Sequence, residues 1–407
     1  MQELTGLARL ASGAIPYPFS HVRELLDPIP PGIEPVIDLT LGEPREMMPP
    51  RLAEEIAGAR ARFGNYPPIR GIDELRRAIA RWIDRRFAVV PGIDPETDIL
   101  PCNGSREGLF YACLPAVGRK QLKSGDRPAV LMCNPYYAAY IGAALATNAE
   151  PVYLNATRAT GHLPDLEALA ADVPLLERTC ALYLCSPANP QGAVAPPEYI
   201  ARALELARRY EFMLLFDECY SELYSGSPPV GALTVAAATP DRFRNLVVFN
   251  SLSKRSNLPG LRSGFMAGDA KFLSSLATIR NLIGPQMPGP VQVASAAVWG
   301  DETHVEANRL AYQKKYDICD EVLGTRLGYS RPAGGFFLWL DLTDFGGGID
   351  GSVTLWKRAG VKVLPGAFLA QTGRDGTNPG AGYVRVALVQ SPETIRQALE
   401  RMVEVFA

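Results

Sequence analysis

Between about residues 95 and 270 the sequence alternates two textures, and this alternation limits the possible folds more than anything else in it. Short apolar runs recur: Ala129-Val-Leu-Met-Cys133, Ala181-Leu-Tyr-Leu-Cys185, Phe212-Met-Leu-Leu-Phe216, Leu246-Val-Val-Phe249 and Gly264-Phe-Met-Ala267. Between them lie stretches such as residues 197–210, apolar at helical spacing with charge on the opposite face. A strand that is apolar on both faces must be covered on both, and the helices between the runs supply that cover. The expected fold is therefore α/β, with a large, mostly parallel central sheet. In such sheets ligands collect in the crevice at the C-terminal ends of the strands.

After about residue 290 the texture changes. A long helical stretch (302–325) precedes Gly335-Phe-Phe-Leu-Trp-Leu-Asp341. A helix, a short strand ending at Leu364-Pro-Gly366, and a final strand and helix follow. This predicts a smaller α+β domain. The proline-rich segment 16–50 is expected to lie as an arm across both domains. Expected boundaries are 1–46 for the arm and part of the small domain, 47–288 for the large domain and 289–407 for the small C-terminal domain. Two or three domains also suit a length of 407 residues.

Several function classes are disfavoured. Lys plus Arg number 41 against 43 Asp plus Glu, a net charge of −2, so there is no basic excess to suit a nucleic acid. The three histidines (21, 162 and 304) are far apart, which supports neither a His-based metal site nor a Ser-His-Asp hydrolase. Seven scattered cysteines read as reduced core residues. The N-terminus lacks the basic start and apolar core of a signal peptide, and no uncharged apolar run reaches about 18 residues. No metal, no membrane and a cytoplasmic location are the expectations.

Each chemically promising cluster follows one of the apolar runs. In Phe249-Asn-Ser251-Leu-Ser253-Lys254-Arg-Ser-Asn-Leu-Pro-Gly-Leu-Arg262, a lysine sits among serines just past a strand, with an arginine eight residues on. A buried lysine amine can be tuned to bond an aldehyde and act as a base, while hydroxyls and a guanidinium suit phosphate. An exposed basic loop is the plainer alternative. In Phe216-Asp217-Glu-Cys-Tyr220 a carboxylate ends an apolar strand, where burial is costly without a cation such as a protonated pyridine nitrogen. Tyr220 could bond the phenolic oxygen of that ring; a helix-capping aspartate and a half-buried tyrosine would look the same. Asn189, in Ser186-Pro-Ala-Asn189-Pro-Gln-Gly192, also fits an ordinary turn. In Pro101-Cys-Asn-Gly104-Ser105-Arg106-Glu107, a helix mouth offers backbone N–H groups to an anion, or simply a cap.

Taken in order, Asn-Pro-x-Gly, Asp-x-x-Tyr, Ser-x-Ser-Lys and Arg eight residues on resemble the class I/II aminotransferases, fold-type I enzymes that use pyridoxal 5′-phosphate (PLP). The resemblance covers nearly the whole chain. It implies that Lys254 is the lysine bonded to the cofactor and that Asp217 partners the pyridine nitrogen. Asn189 and Tyr220 would contact the ring hydroxyl. Ser105, Arg106, Ser251, Ser253 and Arg262 would form the phosphate cup, and Tyr137, beside Tyr136, would stack on the ring. Tyr66, in Asn65-Tyr-Pro-Pro, would reach the phosphate of a neighbouring subunit, implying a homodimer. Arg385, in Gly382-Tyr-Val-Arg385, and the backbone of Gly42, in Leu41-Gly42-Glu-Pro44, would hold the substrate α-carboxylate. The implied reaction is a ping-pong exchange between amino-acid and 2-oxo-acid substrates.

Pro16-Tyr-Pro-Phe19, Ser253–Phe265 and Asn378–Arg385 resemble, more narrowly, the succinyldiaminopimelate transaminases. Those enzymes exchange glutamate/2-oxoglutarate with N-succinyl-2-amino-6-oxopimelate in diaminopimelate and lysine biosynthesis. So long a substrate needs a further cationic contact, for which Arg45, Arg70, Arg255, Arg280 and Arg331 are candidates. An aspartate or aromatic aminotransferase is the nearest alternative, and a PLP-dependent carbon–sulfur β-lyase a more distant one. A PLP-binding regulator would need a DNA-binding module ahead of a pattern that here begins within the first few dozen residues.

Overall fold

The computed structural model describes residues 6–12, 17–284, 286–373 and 376–407; Pro16 of the N-terminal motif lies outside them. Strand β1 (Ile37–Asp38) leaves the arm, and seven strands then build the main sheet. They are β2 (Ile99–Cys102), β3 (Ala129–Asn134), β4 (Glu150–Asn155), β5 (Thr179–Cys185), β6 (Met213–Asp217), β7 (Leu246–Ser251) and β8 (Gly264–Gly268). Their spatial order is β2-β8-β7-β6-β5-β3-β4. The strands from β4 to β7 run parallel, while β8 is antiparallel to both its neighbours.

Period-two alternation within each strand divides the core between the two faces of the sheet. On β5, Leu182 and Leu184 face one layer, with Ile79 and Trp82 of the helix Asp73–Phe87 and Leu204 of Pro197–Arg209. Ala181 and Tyr183 face the other, with Leu109 of the helix Ser105–Arg119 and Leu276 of Ala270–Ile283. The helix Gly289–Gly300 contributes Val298 and Trp299 to the first of these layers, so in its packing it goes with the large domain.

The smaller domain is built on β9 (Phe337–Asp341), β10 (Val361–Lys362), β11 (Leu364–Pro365) and β12 (Tyr383–Ala387). Three of these form an antiparallel sheet in the order β11-β12-β9, and β10 pairs in parallel with β1 from the arm. The helix Thr303–Leu323 places Tyr316, Cys319 and Leu323 in this core. Farther up the arm, Val22 and Leu26 pack with Leu364 and Leu369, and Trp356 Nε1 donates to the Ile29 carbonyl at 2.7 Å. No helix among the described residues is long and apolar enough to cross a membrane.

Candidate active site

Strands β3, β5, β6 and β7 end side by side, and a cavity of about 780 Å³ opens beyond them, closed by the arm and the small domain. Lys254 stands at its floor on the short helical turn Leu252–Arg255. Its Nζ donates to the Gly42 carbonyl at 2.5 Å, and the rings of Phe336 and Tyr220 lie 5.1 and 5.9 Å from it. Burial lowers its pKa to about 8, opposed by Cys219 and reinforced by the Arg385 charge. Below that pH the amine is ammonium; above it the free base forms, whereas an exposed lysine stays charged to about pH 10.4. In cofactor-free protein, acylation of Lys254 should therefore titrate with a midpoint near 8. A midpoint at the ordinary lysine value would refute this. The unfolded chain holds its proton to higher pH, so this group also makes stability rise between the two values.

Asp217 ends β6 with 6 % of its surface exposed. Its Oδ1 accepts from the Cys219 backbone N–H at 3.1 Å and its Oδ2 from the Tyr140 hydroxyl at 3.0 Å. Burial raises its pKa in spite of these bonds and the Lys254 charge. It forms no ion pair with any described residue. Tyr220 is buried against Phe336 and Phe337, and burial pushes its hydroxyl well above the usual phenol range. Asn189 also lines the cavity, and its Oδ1 accepts from Arg385 Nη1 at 3.2 Å.

At one end of the cavity the helix Ser105–Arg119 presents its N-terminus, the positive end of its dipole. Ser105, Arg106, Ser251, Ser253 and Arg262 gather there. The Arg262 fork donates to the carbonyls of Pro259 (2.8 Å) and Asn103 (3.0 Å). It crosses so close to Gly104, where φ is +81°, that a Cβ there would lie 2.4 Å from its Nη2. Arg106 Nε donates to the Tyr137 hydroxyl at 2.6 Å, which draws Tyr137 to this corner, whereas the Tyr136 hydroxyl accepts from Gln371.

Arg385, on β12, is 5 % exposed, with its guanidinium carbon 4.3 Å above the Phe337 ring. Nη2 donates to the Thr40 carbonyl at 2.7 Å, while Nε is buried without a partner. Burial lowers its pKa to about 10, so it remains a cation at neutral pH. The phenyl ring of Phe337 also leaves no room for a side chain at Gly42, whose Cβ would meet it at 2.5 Å. Replacing Arg385 by Lys should raise KM for amino donor and oxo acid alike by roughly 10- to 100-fold, through loss of a charge-assisted fork. Unchanged KM values for both would remove Arg385 from substrate binding.

Tyr66 and the candidate arginines for a further carboxylate lie away from the cavity of their own chain. Tyr66 is fully exposed and does not line the cavity. None of the five arginines considered for a further carboxylate lines it either. Arg45 bonds Gln390, Arg70 the carbonyls of Glu96 and Thr97, and Arg331 Asp317 and Asp320. Arg255 and Arg280 are fully buried, tied to Glu302 and to Glu107 with the Pro101 carbonyl. The structure adds cavity residues to which the motifs gave no role at the site: Tyr140, whose hydroxyl bonds Asp217, and Tyr17 and Phe19 from the arm. Each had a signal: Tyr140 is the third tyrosine of Tyr136-Tyr137-Ala-Ala-Tyr140, and Tyr17 and Phe19 belong to Pro16-Tyr-Pro-Phe19.

A lysine with a weakened proton affinity, a buried carboxylate and an anion corner, all at the strand ends, define an enzyme that handles amino groups through an aldehyde cofactor. Residues 34–402 match the family aminotransferase class I and II, and the chain belongs to that family. LL-diaminopimelate aminotransferase of Syntrophobacter fumaroxidans is 29% identical over 393 residues, 95% of each chain. That of Desulforudis audaxviator is 31% identical over 397 residues, 95% of this chain and 94% of its own. An aminotransferase from Neisseria meningitidis superposes with a TM-score of 0.90 at 36% identity, covering 96% of this chain and 98% of that one. One from Helicobacter pylori gives 0.85 at 30% identity, covering 95% and 97%.

The family depends on PLP, and the residues present suit that cofactor. The unpaired buried carboxylate of Asp217 fits a protonated ring nitrogen, and the serines, Arg262 and helix N-terminus fit a phosphate.

Proposed function

We propose that this aminotransferase exchanges amino groups between glutamate/2-oxoglutarate and N-succinyl-2-amino-6-oxopimelate by a ping-pong mechanism. The observation that carries this reading is the size and lining of the cavity. Besides Lys254 and Arg385, the cavity of about 780 Å³ is lined by Phe19, Ile141 and Phe368, volume and apolar surface that suit a long substrate. Transamination of unmodified LL-diaminopimelate is a second reading, favoured by the names of the curated relatives.

When bound, PLP supplies an aldehyde that bonds amines and a ring that stabilises negative charge left at the substrate Cα. In this reading Lys254 Nζ takes the Cα proton and later returns it, as general base and then acid. Asp217 would keep the ring nitrogen protonated, and Tyr220 and Asn189 would donate hydrogen bonds to the ring oxygen. Ser105, Arg106, Ser251, Ser253 and Arg262 would hold the phosphate, and Tyr137 would pack with the ring. Arg385 orients the α-carboxylate, with the Gly42 backbone beside it. The working unit is a homodimer in which Tyr66 reaches the neighbouring site; Phe63 and Leu282, 63% and 82% exposed, give it apolar surface to cover. A fully active monomer in sedimentation analysis would overturn that assembly.

The deciding experiment mixes PLP-loaded protein with one amino donor at a time, without oxo acid, and follows the visible absorbance band. Fast bleaching by N-succinyl-diaminopimelate and glutamate, and weak bleaching by aspartate and tyrosine, is the expected result. Faster bleaching by free LL-diaminopimelate than by its succinyl form would select the second reading. Bleaching by aspartate or tyrosine alone would overturn both.

A further inference from the structure

The turn that carries Lys254 spans four residues, Leu252–Arg255. A helix that short does not hold itself, and its last carbonyls have no partner within the helix. Here they are held from another element. Nδ2 of Asn308 lies 3.2 Å from the Lys254 carbonyl and 3.4 Å from that of Arg255, and so donates to both. Asn308 Oδ1 accepts from Asn257 Nδ2 at 3.1 Å, which fixes the orientation of the amide. One turn earlier on the same helix face, His304 Nε2 meets the Ser256 hydroxyl at 2.8 Å, and its Nδ1 meets Asp301 at 2.8 Å. Asn308 is 5 % exposed, and neither it nor His304 lines the cavity, so neither is placed to touch substrate.

On its other flank the turn is pinned by Arg255, whose guanidinium lies 5.6 and 5.0 Å from the rings of Trp82 and Trp299 and donates to the Val298 carbonyl. That contact locates the turn, and the Asn308 amide bonds the backbone of Lys254 itself. The helix bearing His304 and Asn308 continues to Leu323 in the small-domain core.

We propose that Asn308, its amide oriented by Asn257, is the positioning residue for Lys254, tying the direction of its side chain to the domain that carries Arg385. The proposal rests on the reading of Lys254 as the reacting lysine. The Asn308→Asp variant keeps the shape and removes the donor, setting a carboxylate against two carbonyls. In the holoenzyme, kcat should fall on the order of tenfold with KM for both substrates within about twofold, since the substrate contacts are intact and the base is misplaced. The pH midpoint of the visible absorbance band should also shift. In cofactor-free protein, amide exchange of the 252–257 segment should quicken by about tenfold, a change independent of turnover.

Asn308→Ala, which adds no charge, should show the same pattern and serves if Asn308→Asp does not fold. Unchanged kcat, band and exchange in a folded variant would overturn the proposal, as would a loss of thermal stability with the band and exchange unmoved. Lys254→Ala measured alongside separates the two readings. Turnover surviving in Lys254→Ala refutes the lysine assignment, whereas its loss there and normal behaviour in Asn308→Ala refutes the clamp alone.

Discussion

Lys254→Ala should lose at least ~10⁴-fold in kcat/KM with any amino donor, while the protein stays folded. The lysine is assigned two tasks, covalent attachment of the cofactor and transfer of the Cα proton, and proton transfer by a placed group alone contributes about 10²- to 10⁴-fold. Structurally the residue is expendable: its amine makes one hydrogen bond, to the Gly42 carbonyl, and burial disfavours its charge. Removing it relieves that penalty at neutral pH, so the thermal midpoint should hold or rise. Single-turnover kinetics and a thermal melt on the same preparation test both halves. Turnover within tenfold of the parent protein would sink the assignment of the site.

Asp217→Ala should reduce kcat on the order of 10³-fold, as expected when a charge that stabilises developing negative charge loses its counterpart in a dry site. The carboxylate is buried, bonded by the Cys219 N–H and the Tyr140 hydroxyl, and pairs with no cation among the described residues. Asp217→Glu, which keeps the charge and shifts its place, should recover part of the loss. PLP should still bind through Lys254 and the phosphate corner, so the spectrum of the loaded protein distinguishes lost chemistry from lost cofactor. Turnover unaffected by Asp217→Ala would end its role at the ring nitrogen.

The five apolar runs were legible as strands because each is buried on both faces, which leaves an uninterrupted hydrophobic signature. Their direction was not: Gly264–Gly268 reads like the others yet runs antiparallel, since composition does not encode which way a strand enters a sheet. The cavity lining was legible where short motifs follow strand ends, as at Asp217 and Lys254. His304 and Asn308 carry no such mark, because tertiary packing alone brings them to the Lys254 turn. Arginines mislead for a related reason. On sequence Arg255 and Arg280 pass for surface residues, whereas aromatic rings and backbone carbonyls bury them completely.

The bond from Arg385 to the Thr40 carbonyl joins residues 345 apart in the chain. During synthesis at about 5–20 residues per second, Lys254 therefore appears on the order of ten seconds before Arg385, which completes the cavity lining. β1 must wait for β10 as well. A nascent chain can form most of the large sheet, with Lys254 in place, long before Arg385 joins the cavity. Over that interval Cys219, Tyr220 and Leu223 lack the small-domain residues Phe336, Phe337 and Ala387 that bury them, which leaves apolar surface exposed until the last strand has been made.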